Sequence, residues 1–245
     1  MRDIPCFLAI VLVPAVAWGG LLAEYRFNDG TAGDETGSYN LNTVGTGITY
    51  HLEGAKGYAR FPGDDDEPSY LEVEGPGGMP QFTVSIWLRT PQRDQGEYQG
   101  VFSNNRSSTA DYSWQFGVHD GTMRVRSAVS GFDTITFGSL PVDEWTNVIV
   151  QKTSSDSAEV FLNGQSVGAE DTNPGGLQWL RVGTNRNTSA FYAMDVDEVK
   201  VWDSLEDAAA IYAQGTAFVP EPATIVLVGM GLAVSARRRR RRERL

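Results

Sequence analysis

Apolar side chains recur at every second position through the middle of this chain, and no other feature limits its fold as strongly. Phe82, Val84, Ile86 and Leu88 lie on one face of a run whose other face carries Thr83, Ser85 and Trp87. Trp114, Phe116 and Val118 alternate with Gln115, Gly117 and His119, and Met123 and Val125 alternate with Arg124 and Arg126. Ile135 and Phe137 alternate with Thr134 and Thr136. A period of two places successive side chains on opposite sides of a pleated strand, so each run predicts a strand with one face toward a core. Turn formers separate the runs, at Asp120-Gly121, Asn163-Gly164 and Pro174-Gly175-Gly176. Asn163-Gly164 supplies the two positive-φ positions of a type I′ turn and predicts a hairpin over Ala158 to Val167. Repeated along the chain, this spacing predicts an all-β, two-sheet antiparallel sandwich.

One helix is expected after the last strand. Ser204 is its predicted cap with Asp207 three residues on, Leu205, Ala208, Ala209 and Tyr212 form its apolar face, and Gly215 ends it. Residues 20–215 contain no internal repeat and no linker that would divide them, so they read as one domain. Cys6 is the chain's one cysteine and lies near the N-terminus, so the domain has no thiol for a disulfide, a nucleophile or a metal site. From Gly20 to Pro220 there are 12 Lys and Arg against 28 Asp and Glu, a balance of −16. A body this acidic argues against nucleic acid as a partner, because phosphate recognition needs a basic surface.

Both ends differ from the body. Residues 1–19 hold Arg2 and an apolar run from Phe7 to Ala17, too short for a bilayer span of about 20 residues but suited to a signal peptide. Small residues at Ala15 and Ala17, and at Ala17 and Gly19, allow signal peptidase to cut before Trp18 or before Gly20. At the other end, residues 216–245 carry Pro220-Glu221-Pro222, an apolar segment over 224–236 and an arginine cluster over 237–244. The order of these parts resembles the PEP-CTERM sorting signal read by exosortase-type membrane enzymes. The resemblance implies export, a transient inner-membrane anchor through residues 224–236, processing near Pro220-Glu221-Pro222, and a final location at the envelope, cell surface or extracellular matrix. The basic cluster is expected to stay on the cytoplasmic side.

An ordered set of segments gives a second resemblance. Ala23-Glu24-Tyr25-Arg26-Phe27-Asn28-Asp29-Gly30 and Asp34-Glu35-Thr36-Gly37-Ser38-Tyr39-Asn40 are similar to an opening strand and acidic loop. Phe82 to Arg89, Leu140 to Val148 and Phe161-Leu162-Asn163-Gly164 follow, and then Leu180 to Gly183 and Val196 to Trp202. Together they resemble the laminin G-like, concanavalin A-like lectin/glucanase superfamily. That resemblance implies a jelly-roll sandwich with one short C-terminal helix, beside the signal helix and transmembrane segment expected at the ends.

Related sandwiches often hold a structural calcium in the segments that match Asn28, Asp29, Asp34 and Asp197. These residues are therefore the expected metal ligands, with turn and cap hydrogen bonding as the alternative. Tyr98, Tyr112, Trp179, Phe191 and Tyr192 fall in loop-like segments and are expected to stack on sugar rings, with ordinary packing as the alternative. Trp87, Trp114 and Trp145 are expected in the core. Asp195 and Asp197 alternate on one strand where glucanases of the superfamily carry paired acids, but Ala193 stands where the leading Glu would be. Gly164-Gln165-Ser166-Val167-Gly168 matches a nucleophile-elbow spacing, but on a hairpin instead of a strand-to-helix turn. The expected function is a non-catalytic secreted or surface module that binds extracellular polysaccharide or an envelope protein. The alternatives are a glycoside hydrolase-like enzyme and a purely structural surface protein.

Overall fold

The computed structural model describes residues 20–53, 56–64, 66–92, 96, 99–104, 114–119, 121–127, 134–154, 157–170 and 176–215. The expected signal helix, the C-terminal span and Pro220, Glu221 and Pro222 lie outside them, as do Tyr98 and Tyr112. Among the described residues no helix is long and apolar enough to cross a membrane.

In chain order the strands are β1 (Leu21–Tyr25), β2 (Asn42–Val44), β3 (Thr49–Glu53), β4 (Lys56–Phe61) and β5 (Tyr70–Gly77). Next come β6 (Phe82–Arg89), β7 (Gln99–Asn104), β8 (Trp114–His119), β9 (Thr122–Ser127) and β10 (Thr134–Thr136). The last are β11 (Thr146–Ser154), β12 (Ser157–Leu162), β13 (Gln165–Glu170), β14 (Leu177–Val182) and β15 (Met194–Trp202), followed by helix α1 (Ala208–Gln214). One sheet runs β13-β12-β11-β6-β15-β4-β3, with β1 also paired to β15. The second runs β10-β9-β8-β7-β14-β5-β2, and every ladder is antiparallel.

The alternating residues meet between the sheets. Phe82, Val84, Ile86 and Leu88 from β6 join Trp114, Phe116, Val118, Met123 and Val125 from the other sheet in one buried cluster. Trp114 stacks on Phe82 with ring centroids 5.5 Å apart and meets the tilted ring of Phe102 at 5.6 Å. The hairpin forms as expected, with Asn163 at φ 49° and Gly164 at φ 76° between β12 and β13.

The outer face of the first sheet is also covered. Helix α1 lies on it, and Ile149, Trp202, Ala208 and Ile211 form a second apolar cluster with Phe161 against it. Trp87 is buried there, 5.6 Å from the ring of Tyr212. The helix begins later than its sequence predicts. Asp207, not Ser204, is the N-cap, accepting from the N–H of Ala209 and Ala210. Thr83 is the cause: its hydroxyl donates to the Ser204 carbonyl at 2.7 Å and accepts from Glu206 N–H at 3.1 Å, which holds this stretch against the sheet. Leu205, expected on the apolar face, is consequently exposed.

Candidate functional site

Three adjacent strands of the first sheet place charged side chains in one row on its outer face. Arg60 on β4 is opposite Asp195 on β15, and Asp195 is opposite Arg89 on β6. Their neighbours Ala59, Phe61, Met194, Val196 and Leu88 are all buried, so the pleat turns the three charged groups outward. Opposite charges on facing strands attract, and here two cations share one anion. Arg60 Nε reaches Asp195 Oδ1 at 2.7 Å and Arg60 Nη2 reaches Oδ2 at 3.1 Å. Arg89 Nε and Nη2 reach Oδ2 at 3.1 and 2.5 Å. The hydrogen bond to Asp195 raises the Arg60 pKa above its ordinary value, against the opposing pull of burial.

Aromatic rings support both guanidinium groups. Arg89 lies 5.0 Å from the Trp145 ring and 5.5 Å from that of Tyr58, and Arg60 lies 5.4 Å from Tyr58. Tyr58 meets Trp145 edge-on at 6.0 Å and stacks on His51 at 5.0 Å with the planes 8° apart. Beside this group opens a cleft of about 670 Å³, bounded by Thr49, Pro62, Pro91 and Asp143 as well as by the charged row. Its size is within the range of small-ligand sites.

Trp145, expected in the core, is half-buried against Arg89, which lines this cleft. Arg60, Arg89, Tyr58 and His51 were not expected there at all. A charged residue between two core positions, as Arg60 is between Ala59 and Phe61, signals an outward face but not the partner across the ladder. The contacts to Asp195 span 135 residues from Arg60 and 106 from Arg89.

Of the residues expected to stack on sugars, Trp179, Phe191 and Tyr192 are described, and none lines the cleft. Phe191 and Tyr192 are 2% and 0% exposed, which corrects that expectation for both. The segment after β14 lies flat on the second sheet, where Phe191 bridges to Gly100 and stacks on Tyr70 at 6.2 Å. Gly100 permits this approach, because a Cβ there would lie 2.0 Å from Asn185 N. Trp179 is half-buried on β14, its ring 5.7 Å from the buried guanidinium of Arg181. Arg181 in turn pairs with the buried Glu72 at 3.0 Å.

The expected calcium ligands are given other tasks. Asp34 Oδ1 accepts from Glu24 N–H at 2.8 Å and Thr36 N–H at 3.0 Å. Its Oδ2 accepts from the Thr36 hydroxyl, Ser38 N–H and Tyr39 N–H at 2.6, 3.0 and 2.9 Å. Burial pushes the Asp34 pKa up, but the bonds from Thr36, Glu24 and Tyr39 outweigh it and hold the carboxyl below its ordinary range. Asn28 Oδ1 accepts from Gly57 N–H at 2.7 Å, and Asp29 turns back on Thr31 at 2.9 Å. Asp197 is fully buried on β15 and accepts from Glu198 N–H at 2.8 Å. Among the described residues no three His, Cys, Asp or Glu side chains converge on a position that could hold a metal ion. Ser166, within the elbow-like spacing, donates across the hairpin to Glu159 at 2.6 Å.

A laminin G family model, described as the concanavalin A-like lectin/glucanases superfamily, matches residues 54–211. The chain belongs to this superfamily. The PEP-CTERM protein-sorting motif matches residues 218–241, which marks this superfamily member for export and for exosortase processing of a C-terminal anchor. No curated protein matches the chain. Among solved structures, domain 4 of AbnA, a GH43 extracellular arabinanase from Geobacillus stearothermophilus in complex with arabinotriose, is similar. It has 19% identity and a TM-score of 0.64, over 78% of this chain and 97% of that one. The binding domain of Paraclostridial Mosquitocidal Protein 1 is similar at 16% identity and a TM-score of 0.60, over 79% of this chain and 52% of that one. The botulinum neurotoxin serotype G binding domain follows at 14% and 0.59, over 79% and 50%. The chain therefore spans about half the length of the toxin domains it matches. At these identities the likeness is one of fold, a jelly-roll sandwich.

Proposed function

We propose that this superfamily member is an exported, non-catalytic binding module that holds an extracellular polysaccharide through the cleft beside Arg60, Arg89 and Asp195. The observation that carries the reading is the pairing of two ring-supported guanidinium groups with an open cleft. Planar donors held rigidly beside aromatic surface are suited to bind sugar oxygens with little loss of side-chain freedom. Domain 4 of AbnA, bound to arabinotriose, adds a precedent on a similar fold. The sorting motif supports delivery to the cell surface or matrix after exosortase processing, where polysaccharide is at hand.

The state of the acids supports binding over hydrolysis. A retaining glycosidase needs two carboxyls about 5 Å apart and open to substrate. Asp195 is clamped by two arginines, and Asp197 has no exposed surface. Polysaccharide pull-down with the mature protein tests the proposal. Arg60→Gln and Trp145→Ala should each weaken retention about tenfold or more, the effect of losing a charge-assisted hydrogen bond or an aromatic contact. Unchanged retention in both variants would remove the cleft from the function. Turnover of a chromogenic glycoside, abolished by Asp195→Asn, would favour an enzyme instead.

A further inference from the structure

The charged row that floors the cleft offers hydrogen-bond donors and little acceptor capacity, with Asp143 as the one other carboxylate among the described lining residues. A carboxylate has room for about four incoming bonds. Asp195 receives four N–H contacts, one on Oδ1 and three on Oδ2, all from Arg60 and Arg89. Little acceptor capacity is left there for a ligand hydroxyl. Each guanidinium, by contrast, carries five N–H donors in a rigid fork. Both spend their Nε and Nη2 on Asp195, Arg60 Nη2 also donates to the Tyr58 hydroxyl at 3.1 Å, and Nη1 of each makes no hydrogen bond to a described residue. The two side chains are 47% and 30% exposed, so those donors are open to a ligand.

The charges of the cleft balance, Arg60 and Arg89 against Asp195 and Asp143, so the donors and not the net charge set the preference. A neutral sugar hydroxyl both donates and accepts, and this floor satisfies only the accepting half. A carboxylate only accepts, and it matches the fork of an arginine.

We infer that the cleft selects acidic sugars, with Arg60 and Arg89 holding a uronate carboxylate through their Nη1 edges. This rests on the glycan-binding reading and narrows it to one class of ligand. Trp145 and Tyr58 fix both forks before the ligand arrives, so the selectivity is built into the empty cleft.

Titration calorimetry on the mature protein tests the inference with oligogalacturonate, oligomannuronate and hyaluronate fragments. Each is paired with its methyl ester, which keeps the rings and hydroxyls and removes the negative charge. A neutral galacto-oligosaccharide completes the set. At least one free acid should bind about tenfold or more tighter than its ester, the difference expected for a charge-assisted bond. Arg60→Gln and Arg89→Gln should each lower the affinity for the acid more than for the ester, and so shrink that difference to about twofold or less. The comparison of acid with ester needs no variant, so it decides even if a substitution impairs folding. Equal affinity for acid and ester, or preference for the neutral sugar, overturns the acidic-sugar inference and leaves the glycan reading standing. Binding to none of these sugars by folded protein overturns both.

Discussion

Five donors converge on the Asp34 carboxylate, from Glu24, Ser38, Tyr39 and twice from Thr36. A cation and a ring of N–H groups call for the same thing, a carboxylate in an irregular loop, so the sequence around Asp34 reads equally well either way. In the structure Asp34 acts as the organiser of the loop after β1. Asp34→Ala leaves several donors without their acceptor and should destabilise the domain by about 3 kcal/mol in urea unfolding. The folded carboxyl titrates below its ordinary value, so its stabilisation is fully present above the unfolded pKa of about 3.9 and is lost as pH falls through the folded pKa. The gap between wild type and Asp34→Asn should therefore be wide at pH 7 and narrow below about pH 4. Melting should be the same in EDTA as in millimolar calcium. A fall in EDTA that calcium restores would return this loop to the metal-site reading. Phe191 and Tyr192 show the same limit of single residues: aromatic side chains in an irregular segment look accessible until Gly100 lets that segment lie on the sheet.

At the scale of elements the sequence is most readable where one local rule decides the outcome. Asn163-Gly164 forms its turn because both residues tolerate positive φ, and nothing distant needs to agree. The inward face of β6 is as clear, since Phe82, Val84, Ile86 and Leu88 alternate without a break. Its other face was legible only at Trp87, expected in the core. Thr83 and Trp87 are covered by α1 and the segment before it, about 120 positions later, as the Thr83 bonds to Ser204 and Glu206 and the Trp87 to Tyr212 ring contact show. Thr83 also delays the start of α1, a tertiary contact overriding a local cap signal. Thr83→Val keeps the shape and removes the hydroxyl. It should lower stability by about 1–3 kcal/mol, because Glu206 N–H loses its acceptor. Amide exchange in Ala208–Gln214 should accelerate more than in β11, which would place the loss at the helix's attachment. Equal acceleration in both would mean that Thr83 stabilises the sheet itself.

At the scale of the whole molecule, the fold was legible and the cleft was not, for one reason of chain distance. Strand patterns and the sorting tail are written in short contiguous stretches. The cleft exists only when β4, β6 and β15 come side by side, and its ion pairs join residues 106 and 135 positions apart. The described fold also closes just inside the two ends that direct export. The carbonyl of Gly20 accepts from Asp203 N–H at 3.2 Å, and β1 then pairs along β15. At the other end Gly215 caps α1 by donating to Tyr212 O at 3.0 Å. A cut before Trp18 or Gly20 and another near Pro220 would thus leave every strand and the helix whole. Protein recovered after exosortase processing should have a C-terminus near Pro220–Pro222 by intact mass, and it should melt at the same temperature as the full-length chain. Deleting Leu21–Tyr25 should instead lower the melting temperature sharply, because Ala23 and Tyr25 are buried in the core. A lower melting temperature after tail removal alone would show that residues beyond Gly215 contribute to the domain, and that sorting and folding are coupled in this protein.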